Sequence, residues 1–329
     1  MHEASIVLLA AVGLDLLLGD PVYRLHPVRL IGTFISRLER GLRRLHLSGL
    51  TGGVFLLVGV LLVVIGIQLG VRYAVGSIAP SLSVAWDVFV LYSCVALRDM
   101  LRHAYPIEAA LRQGDVEGAR HGLSRIVGRE VALLDAAAMS RAAVESVAES
   151  FVDGFLAPLF WFVVGCAGAS AFGGAALPFA VSAAVAYRCV NTLDSMVGYR
   201  NPCYLLFGRA SARADDLLNS LPARLSLVVL WLGARLLRMN ATAGWRVALR
   251  DRLKHASPNS AHAESFVAGA LGIRLGGPTR YRHGLVDKPW LGDGGNAAEP
   301  GDIRLCGNLV LSTGLVSAAI FMLLIEAFI

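Results

Sequence analysis

The chain has 329 residues, of which 56% are hydrophobic and only 16% are charged, and its mean hydropathy is +0.61. Soluble domains usually carry about 25% charged residues, so this composition excludes an ordinary soluble protein and favours one embedded in lipid. The net charge is +6, and arginine supplies nearly all of the positive charge, because only Lys254 and Lys288 among the 30 basic residues are lysines. Arginine suits phosphate and carboxylate ligands, although a compositional bias of the genome would have the same effect.

The motifs that are missing narrow the chemistry. Five cysteines are scattered without a C-x-x-C pair, which excludes the usual zinc spacings and argues against a disulfide framework. The sequence contains no P-loop motif, no G-x-S-x-G and no H-E-x-x-H. The N-terminus lacks the positively charged segment of a signal peptide, so we expect 4–19 to be a retained membrane helix.

Long apolar runs predict about six membrane spans. A span needs roughly 20 residues, so the runs 4–19 and 82–97 are marginal, and the still shorter 225–234 is predicted to be an interfacial or re-entrant helix. No alternating pattern is long enough for a sheet. The predicted fold class is therefore all-α, a polytopic helical membrane protein with one catalytic domain over 1–329. The predicted spans are 4–19, 50–76, 82–97, 151–171, 172–190 and 306–329.

The placement of arginine predicts the orientation. The loop 20–49 is rich in arginine and should face the cytoplasm, which puts the N-terminus outside and the segments 98–150 and 191–305 in the cytoplasm. The predicted location is thus the cell (inner) membrane with the catalytic face cytoplasmic. The count works only if 225–234 does not cross; otherwise 239–305 lies outside. The arginines of the first loop are Arg24, Arg29, Arg37, Arg40, Arg43 and Arg44.

A turn follows the first predicted span. Pro21 and Pro27 stiffen it, and it holds Asp20, His26 and Arg29. The alternative interpretation is a simple helix stop with a structural histidine.

An acidic stripe precedes the apolar segment 155–164. Arg141, Glu145, Glu149 and Asp153 recur every four residues, so they share one face of a helix. Like charges at this spacing destabilise an exposed helix. One interpretation is a solvated face on which Arg141 pairs with Glu145. Because the stripe runs into an apolar segment, a cation site is favoured, and oxygen ligands of this kind suit Mg²⁺.

A second polar group lies near the ends of membrane-grade segments, where carboxylates and amides are costly unless they hold something. Asn191 and Asp194 share one helix face, and Asp215, Asp216 and Asn219 follow on another. The alternative for the second set is capping at a helix N-terminus.

A polar loop from His255 to Glu264 leads into the glycine-rich segment 268–277. Ser257-Pro258 can start a helix, and the glycines allow close approach of the backbone. This arrangement suits an anion or a nucleotide.

Taken together, these motifs resemble the adenosylcobinamide-phosphate synthase family, integral membrane proteins of cobalamin biosynthesis. The resemblance covers about residues 13–284, and its most specific block is Asn191-Thr-Leu-Asp-Ser-Met. The chain departs from the family pattern at Ser150, at Ala214 and at Ala261-His262-Ala263. The other motifs, in chain order, are Gly19-Asp-Pro, His26-Pro-Val, Glu145-Ser-Val-Ala-Glu149 with Asp153-Gly, Ala-Arg-x-Asp-Asp216 with Pro222-Ala-Arg-Leu225, and His255-x-Ser-Pro-Asn259.

The resemblance implies an ATP-dependent amide ligation. Aminopropanol phosphate, or aminopropanol, would be joined to the propionate carboxylate of adenosylcobyric acid through an acyl phosphate, with Mg²⁺ as cofactor and ATP as co-substrate. The implied partners are these substrates and membrane lipid, with no nucleic acid. A homodimer, or an assembly with other membrane enzymes of the pathway, stays open.

The resemblance also suggests roles for individual residues. The predicted catalytic residues are Glu149, Asp153, Asp194, His26 and His255, and one of the carboxylates would serve as base toward the amine. The predicted metal ligands are Glu145, Glu149, Asp153, Asp194, Asp215 and Asp216. The predicted substrate- and phosphate-binding residues are Arg29, Arg188, Asn191, Arg209, Arg213, Asn219, Arg224, Ser257, Asn259 and Glu264.

Two other functions are compatible with parts of the sequence. Asn-x-x-Asp and Asp-Asp-x-x-Asn also suit an intramembrane prenyltransferase that holds Mg²⁺-diphosphate, but that function leaves 239–305 unexplained. A membrane sensor that has lost its chemistry would explain Ser150, but it would not explain why the acidic residues remain.

Overall fold

The computed structural model describes residues 2–20, 23, 25–171, 173–281, 284–293 and 295–328. Pro21 and Arg24, which entered the turn and orientation arguments, lie outside the described residues. The described elements are α1 (Glu3–Leu18), α2 (Pro27–Arg44), α3 (Leu50–Gly76), α4 (Pro80–Cys94), α5 (Leu97–Arg112), α6 (Val116–Leu123), α7 (Ala136–Phe151), a π-helical turn (Val152–Leu156), α8 (Ala157–Ala171), α9 (Ala176–Val197), α10 (Arg209–Leu236), α11 (Ala241–Asp251), α12 (Ala261–Leu271), β1 (Leu275–Gly276), β2 (Thr279–Tyr281), β3 (Gly284–Val286), β4 (Trp290–Leu291) and α13 (Pro300–Phe328).

Six helical stretches of the described chain are long and apolar enough to cross a membrane. This confirms the prediction of an all-α polytopic membrane protein. The six differ from the predicted runs in two places, because α1 has only 16 residues and is not among them, whereas α10 is. The stretches are Leu50–Gly76, Pro80–Arg112, Ala136–Ala171, Ala176–Val197, Arg209–Leu236 and Pro300–Ala327.

The prediction that 225–234 forms a separate short helix is wrong. This run is the C-terminal part of the 28-residue α10. Pro222 lies inside this helix. Proline has no N–H, so it leaves the carbonyl four residues earlier without its helical donor. The indole Nε1 of Trp161 donates to that carbonyl, on Leu218, at 3.1 Å. This contact replaces a lost backbone bond and helps α10 continue where the sequence suggested a break.

The chain forms two compact units, each assembled from separate stretches. Neither unit is a continuous segment of the chain, so the units do not define separate domains along the sequence. The single domain predicted for 1–329 therefore stays a prediction. The first unit comprises Met1–Ala96, Ala157–Asn219 and Ala318–Ile329, and the second comprises Leu97–Leu156 and Ser220–Ser317.

In the first unit, α9 is the central helix and contacts α1, α2, α3, α4 and α8. It packs tightly against α8 at Gly165. A Cβ atom there would lie 2.6 Å from the Cα of Ala180, so only glycine fits. Small residues at such crossings let helix backbones pack closely in membranes.

In the second unit, α7 and α12 pack on each other and on a small region of strands. The strands form two antiparallel pairs, β1 with β4 and β2 with β3. The sequence did not predict them, because strands of two or three residues are too short to show an alternating pattern. The segment 98–150 contains most of α5, all of α6 and most of α7.

The acidic stripe of α7 does not continue regularly to Asp153. The α-helix ends at Phe151, and Asp153 belongs to the π-helical turn. A π-turn inserts extra backbone into the helix and changes its register. Asp153 is therefore rotated away from the face that an uninterrupted α-helix would give it.

Candidate functional site

The second unit contains a polar cavity of about 260 Å³. Its walls come from α7, α12, β1, β4, the segment 126–129 and the residues 254–255 and 288–289. Both lysines of the chain are among the residues that line it. The two lysines contribute compact, strongly hydrated point charges to the lining of this cavity. Its titratable lining residues are Arg129, Glu145, Glu149, Lys254, His255, Glu264 and Lys288.

Glu145 is the buried anchor of this cavity. It is 6% exposed, it forms an ion pair with Nη2 of Arg129, and its Oε1 accepts a hydrogen bond from the backbone N–H of Gly276 at 2.6 Å. The Nε of Arg141 lies 4.0 Å from the same carboxylate. The interpretation of this stripe as a solvated face is therefore wrong for Glu145. The ion pair between Arg141 and Glu145, which that interpretation included, is present but long.

Glu149 and Glu264 supply two further carboxyl groups. Glu149 is exposed, and its Oε1 accepts a hydrogen bond from the hydroxyl of Ser260 at 3.0 Å. Glu264 is only 5% exposed. Burial and the nearby charges of Glu149 and Glu145 raise its pKa well above the usual value, with Lys288 and Arg129 opposing. Glu264 therefore keeps its proton to a higher pH than an ordinary carboxyl group.

His255 has a defined tautomer. The backbone N–H of Ser257 donates to its Nδ1 at 3.0 Å, so Nδ1 is an acceptor and the neutral ring carries its hydrogen on Nε2. Burial and the charge of Lys288 lower its pKa, against the pull of Glu149 and Glu145. The neutral His255 can thus offer an Nε2–H donor to a bound anion.

Asn259 and His262 complete this turn. Asn259 is buried, and its carbonyl accepts from the backbone N–H of His262 and lies 3.1 Å from His262 Nδ1. A carbonyl can only accept, so His262 carries its hydrogen on Nδ1. Burial and the charge of Arg224 lower the pKa of His262. Asn259 therefore fixes the start of α12, the helix that carries Glu264.

In the first unit, the structure brings Asn191, Asp215 and Asn219 together. The amide nitrogen of Asn191 lies 3.3 Å from one carboxylate oxygen of Asp215, and that of Asn219 lies 3.0 Å from the other. The hydroxyl of Tyr187 donates to Oδ1 of Asn219 at 2.9 Å. Asp215 lies well inside α10, which begins at Arg209, so the interpretation as a helix N-terminal cap is wrong.

The other predicted residues of the first unit have varied surroundings. Asp194 lies near the end of α9, and its side chain lies so close to Gly198 that a Cβ there would clash with Oδ1. His26 is buried and its Nε2 contacts Asp20 at 2.7 Å. Arg188, Asn191, Asp194 and Asp216 are half-buried, whereas Arg29, Arg209 and Arg213 are exposed. In the second unit, Ser257 and Asp153 are half-buried and Arg224 is exposed.

Comparison with known proteins gives one consistent result. A family model described as "CobD/Cbib protein" matches residues 8–310. "Cobalamin biosynthesis protein CobD" of Desulfotalea psychrophila is 41% identical over 321 residues, covering 97% of each chain. The protein of the same name in Geobacter metallireducens is 43% identical over 293 residues, covering 89% of this chain and 88% of the relative. "Cobalamin biosynthesis protein CbiB" of Salmonella typhi is 40% identical over 318 residues, covering 94% and 93%.

The chain belongs to the CobD/CbiB family. This confirms the predicted membership of a family of cobalamin biosynthesis proteins, and the six candidate spans agree with a multi-pass membrane protein. No solved structure matches the chain. The polar cavity of the second unit therefore belongs to a CobD/CbiB protein, and its residues can be compared with the needs of a reaction in cobalamin biosynthesis.

The predicted metal set stays a prediction. Among the described residues, no group of three or more histidine, cysteine, aspartate or glutamate side chains is arranged to hold a metal ion. Mg²⁺ usually binds through one or two protein carboxylates and takes its other ligands from water and substrate phosphates. Glu149 and Glu264, which line one cavity with the lysines, fit a magnesium ion of this kind and do not form an all-protein cage.

Sequence reasoning missed the residues that add positive charge to the cavity. Arg129, Lys254 and Lys288 line it, and Asp251 lies directly behind Lys254. Asp251 is fully buried. Its carboxylate forms an ion pair with Nζ of Lys254 at 2.7 Å and accepts a hydrogen bond from the backbone N–H of Gly292 at 2.9 Å. The pKa of Asp251 lies far below the usual range, in spite of its burial, because it accepts hydrogen bonds from the guanidinium of Arg250, the ammonium of Lys254 and the backbone N–H of Gly292. The rarity of lysine was the one signal in the sequence that could have pointed here.

Proposed function

We propose that this member of the CobD/CbiB family is the ATP-dependent amide ligase that joins aminopropanol phosphate to the propionate carboxylate of adenosylcobyric acid. The relatives' names support a role in cobalamin biosynthesis. The observation that carries the proposal is the polar cavity of the second unit, where both lysines of the chain lie with Glu149 and Glu264. This reaction needs cationic groups that bind phosphates, and it needs carboxylates that bind a metal or accept a proton from an amine.

The size of the cavity limits what it can hold. Small-molecule pockets usually have volumes of roughly 300–1,000 Å³, and this cavity has about 260 Å³. That volume suits the transferred phosphoryl group, the propionate carboxylate and the amine. The bulk of a corrinoid would remain outside it, with only the propionate arm entering.

The reaction would proceed in two steps. An oxygen of the propionate carboxylate attacks the γ-phosphorus of ATP, the bond to the β-phosphate oxygen breaks, and ADP leaves. The amine nitrogen of aminopropanol phosphate then attacks the carbonyl carbon of the acyl phosphate, and inorganic phosphate leaves with the electron pair of the broken C–O bond. The nitrogen loses two protons as the ammonium group becomes an amide. A base must take the first before the attack, and the departing phosphate can take up the second as the amide forms.

The basic side chains would bind the phosphates. Lys254 and Lys288, which line the cavity, would pair with phosphate oxygens, and His255 would offer its Nε2–H to the same anion. Asp251 fixes Lys254 from behind. Preorganised charges of this kind stabilise the charge that shifts during phosphoryl transfer.

Glu149 is the better candidate for the base. It is exposed and its carboxylate is oriented by the hydroxyl of Ser260. Glu264, whose pKa is raised, holds its proton too firmly to start as the base. When bound, Mg²⁺ would neutralise phosphate charge during transfer; Glu264, which would give up its proton to the metal, is the residue that would hold it while Glu149 acts as the base. The carboxylates of the first unit, including Asp194 and Asp215, stay predicted ligands.

Product formation tests the proposal directly. The full chain, purified in detergent, is incubated with Mg²⁺-ATP, adenosylcobyric acid and aminopropanol phosphate, and the amide and ADP are followed by mass spectrometry. We expect equal amounts of amide and ADP, with no amide when ATP is omitted and much less with Lys288→Ala. The control variant Arg246→Ala changes an exposed residue outside the cavity and should behave like the wild type. A well-folded sample that forms neither product would overturn the proposal, and a prenyl diphosphate would be the next substrate tested.

A further inference from the structure

The first unit contains a second cavity, which has a different chemistry. It has a volume of about 500 Å³ and is lined by residues of α2, α3, α4 and α9 and of the segment 23–25. This volume is typical of ligand pockets. Its walls are mostly apolar, with Phe34, Ile67, Trp86 and Phe89 among them. Among the described residues that line it, Arg188 is the only charged one.

Gln68 adds a buried donor to this cavity. It lies within the apolar helix α3, lines the cavity and is 4% exposed. Its Oε1 lies 3.3 Å from the hydroxyl of Ser182, and its backbone carbonyl accepts from the indole of Trp86. Its amide nitrogen has no hydrogen-bond partner in the part of the chain that the structure describes. A buried amide donor without an acceptor is unfavourable, so an acceptor from a ligand would stabilise it.

Arg188 supplies the positive charge. A guanidinium group carries five N–H donors in a planar fork, so it can bind a phosphate oxygen and still keep protein partners. None of the described residues that line the cavity is acidic. The cavity therefore matches a ligand that is anionic, rich in acceptors and mostly apolar in bulk.

The cavity opens toward the surface that a membrane-spanning chain presents to lipid. Leu25, Leu30, Val63 and Ile67 line it and are 71%, 47%, 42% and 60% exposed. Three of its four helices, α3, α4 and α9, belong to candidate membrane spans. Apolar side chains exposed in this way are favourable against acyl chains, and a water-soluble anion would find few polar contacts there.

We propose that this cavity is a binding site for an anionic membrane phospholipid. One acyl chain lies along the apolar wall formed by α3 and α4, the phosphate pairs with Arg188, and an ester or phosphate oxygen accepts from the amide nitrogen of Gln68. The site is independent of the polar cavity of the second unit and does not rest on the ligase proposal.

Native mass spectrometry of the full chain tests this proposal. The protein is exchanged into mixed micelles that contain phosphatidylglycerol or phosphatidylcholine, and retained lipid is counted. One arginine near an anionic headgroup predicts a preference of about fivefold for phosphatidylglycerol. We expect Arg188→Gln to lose this preference and Val64→Trp, which fills the cavity, to lose retained lipid. The control Leu62→Trp lies on the same helix, is 69% exposed and does not line the cavity, so it should retain lipid like the wild type.

Three results would overturn the proposal: equal retention by Val64→Trp and Leu62→Trp, no headgroup preference in the wild-type protein, or displacement of the lipid by inorganic phosphate. Circular dichroism confirms that each variant is helical. If Val64→Trp fails to fold, Gln68→Leu replaces it, because it removes the unpartnered amide and should weaken lipid retention.

Discussion

The carboxylate of Glu145 accepts a hydrogen bond from the backbone N–H of Gly276 at 2.6 Å, across 131 positions of the sequence. The bond ties α7 to β1 at the wall of the polar cavity, and the ion pair of Glu145 with Arg129 adds the segment 126–129 to the same point. Glu145 thus organises three parts of the cavity, and its role as a metal ligand stays a prediction.

Replacing Glu145 with alanine should strongly destabilise the second unit. The substitution leaves Arg129, which is 11% exposed, as an unpaired charge, and breaking a buried ion pair typically costs about 3–5 kcal/mol. The control is Glu117→Ala, which removes a surface pair with Arg120 and should cost less than about 1 kcal/mol. Thermal unfolding in detergent measures both. A Glu145→Ala protein as stable as Glu117→Ala would contradict the anchoring role.

Lys288 should matter for binding the phosphates of ATP. A charge-assisted hydrogen bond contributes about 1.5–3 kcal/mol, so Lys288→Ala should raise the KM for ATP roughly 10- to 150-fold. Lys288→Arg keeps the positive charge in a group of different shape, so its KM for ATP should lie between that of the wild type and that of Lys288→Ala. Steady-state kinetics with varied ATP measure the effect, with Arg246→Ala as the control. Unchanged KM values in Lys288→Ala would remove this residue from the phosphate site.

The sequence predicted the helical class and part of the site because both depend on local patterns. Apolar runs identify membrane helices from composition alone, and the spacing of Glu145 and Glu149 places both on one face of α7. Their meeting with Glu264 follows from the packing of α7 on α12, which no local pattern specifies. For the same reason, the rarity of lysine in the sequence does not predict that Lys254 and Lys288 line one cavity.

Other features could not be inferred, because they depend on contacts between distant residues. The continuation of α10 past Pro222 is supported by the indole of Trp161, which lies on another helix. The role of Asp251 rests on Gly292, 41 positions away. The register of Asp153 depends on a π-helical turn that the regular four-residue spacing gave no reason to expect.

Glu264→Gln should change how stability depends on pH. The raised pKa of Glu264 means that the folded protein holds a proton which the unfolded carboxyl group, with a pKa of about 4.3, releases. This stabilisation is complete below the unfolded pKa and is lost as pH rises through the folded pKa, by up to about 1.4 kcal/mol per pH unit. Glutamine cannot ionise, so the variant should gain stability over the wild type between pH 5 and pH 7 (roughly the window just above the unfolded value).

Thermal unfolding at several pH values measures this difference, and Glu117→Gln, at an exposed position, is the control. Parallel curves for Glu264→Gln and the wild type would show that the pKa of Glu264 is ordinary. The same variant should lose turnover if Glu264 holds the metal, so a gain in stability and a loss of activity are expected together.

Asp194→Asn should abolish turnover and leave expression intact if Asp194 is a metal ligand. Asparagine has nearly the same shape but lacks the charge that a hard cation requires. Ser195→Ala changes the next residue, an exposed serine whose hydroxyl donates to the carbonyl of Asn191, and this variant should remain active. Normal turnover in Asp194→Asn would remove Asp194 from the metal shell.

Cys203 can report the side of the membrane on which the segment 191–305 lies. It is the exposed cysteine of the described chain, and Cys94, Cys166, Cys189 and Cys306 are buried. If the segment is cytoplasmic, a membrane-impermeant maleimide should label Cys203 in inside-out vesicles and leave it unlabelled in intact cells. Cys203→Ser should remove the signal. Labelling in intact cells would reverse the predicted orientation.

A second cysteine decides whether α10 crosses the membrane. Leu253, beside Lys254, is 67% exposed, and Leu253→Cys in a Cys203→Ser background places one exposed thiol after α10. ATP is found in the cytoplasm, so a cavity that binds it must open there, and the thiol should be labelled in inside-out vesicles, as Cys203 is. Labelling from the opposite side would mean that α10 spans the bilayer, as its length permits, and that the polar cavity faces away from ATP. That result would contradict the ligase proposal independently of any activity measurement.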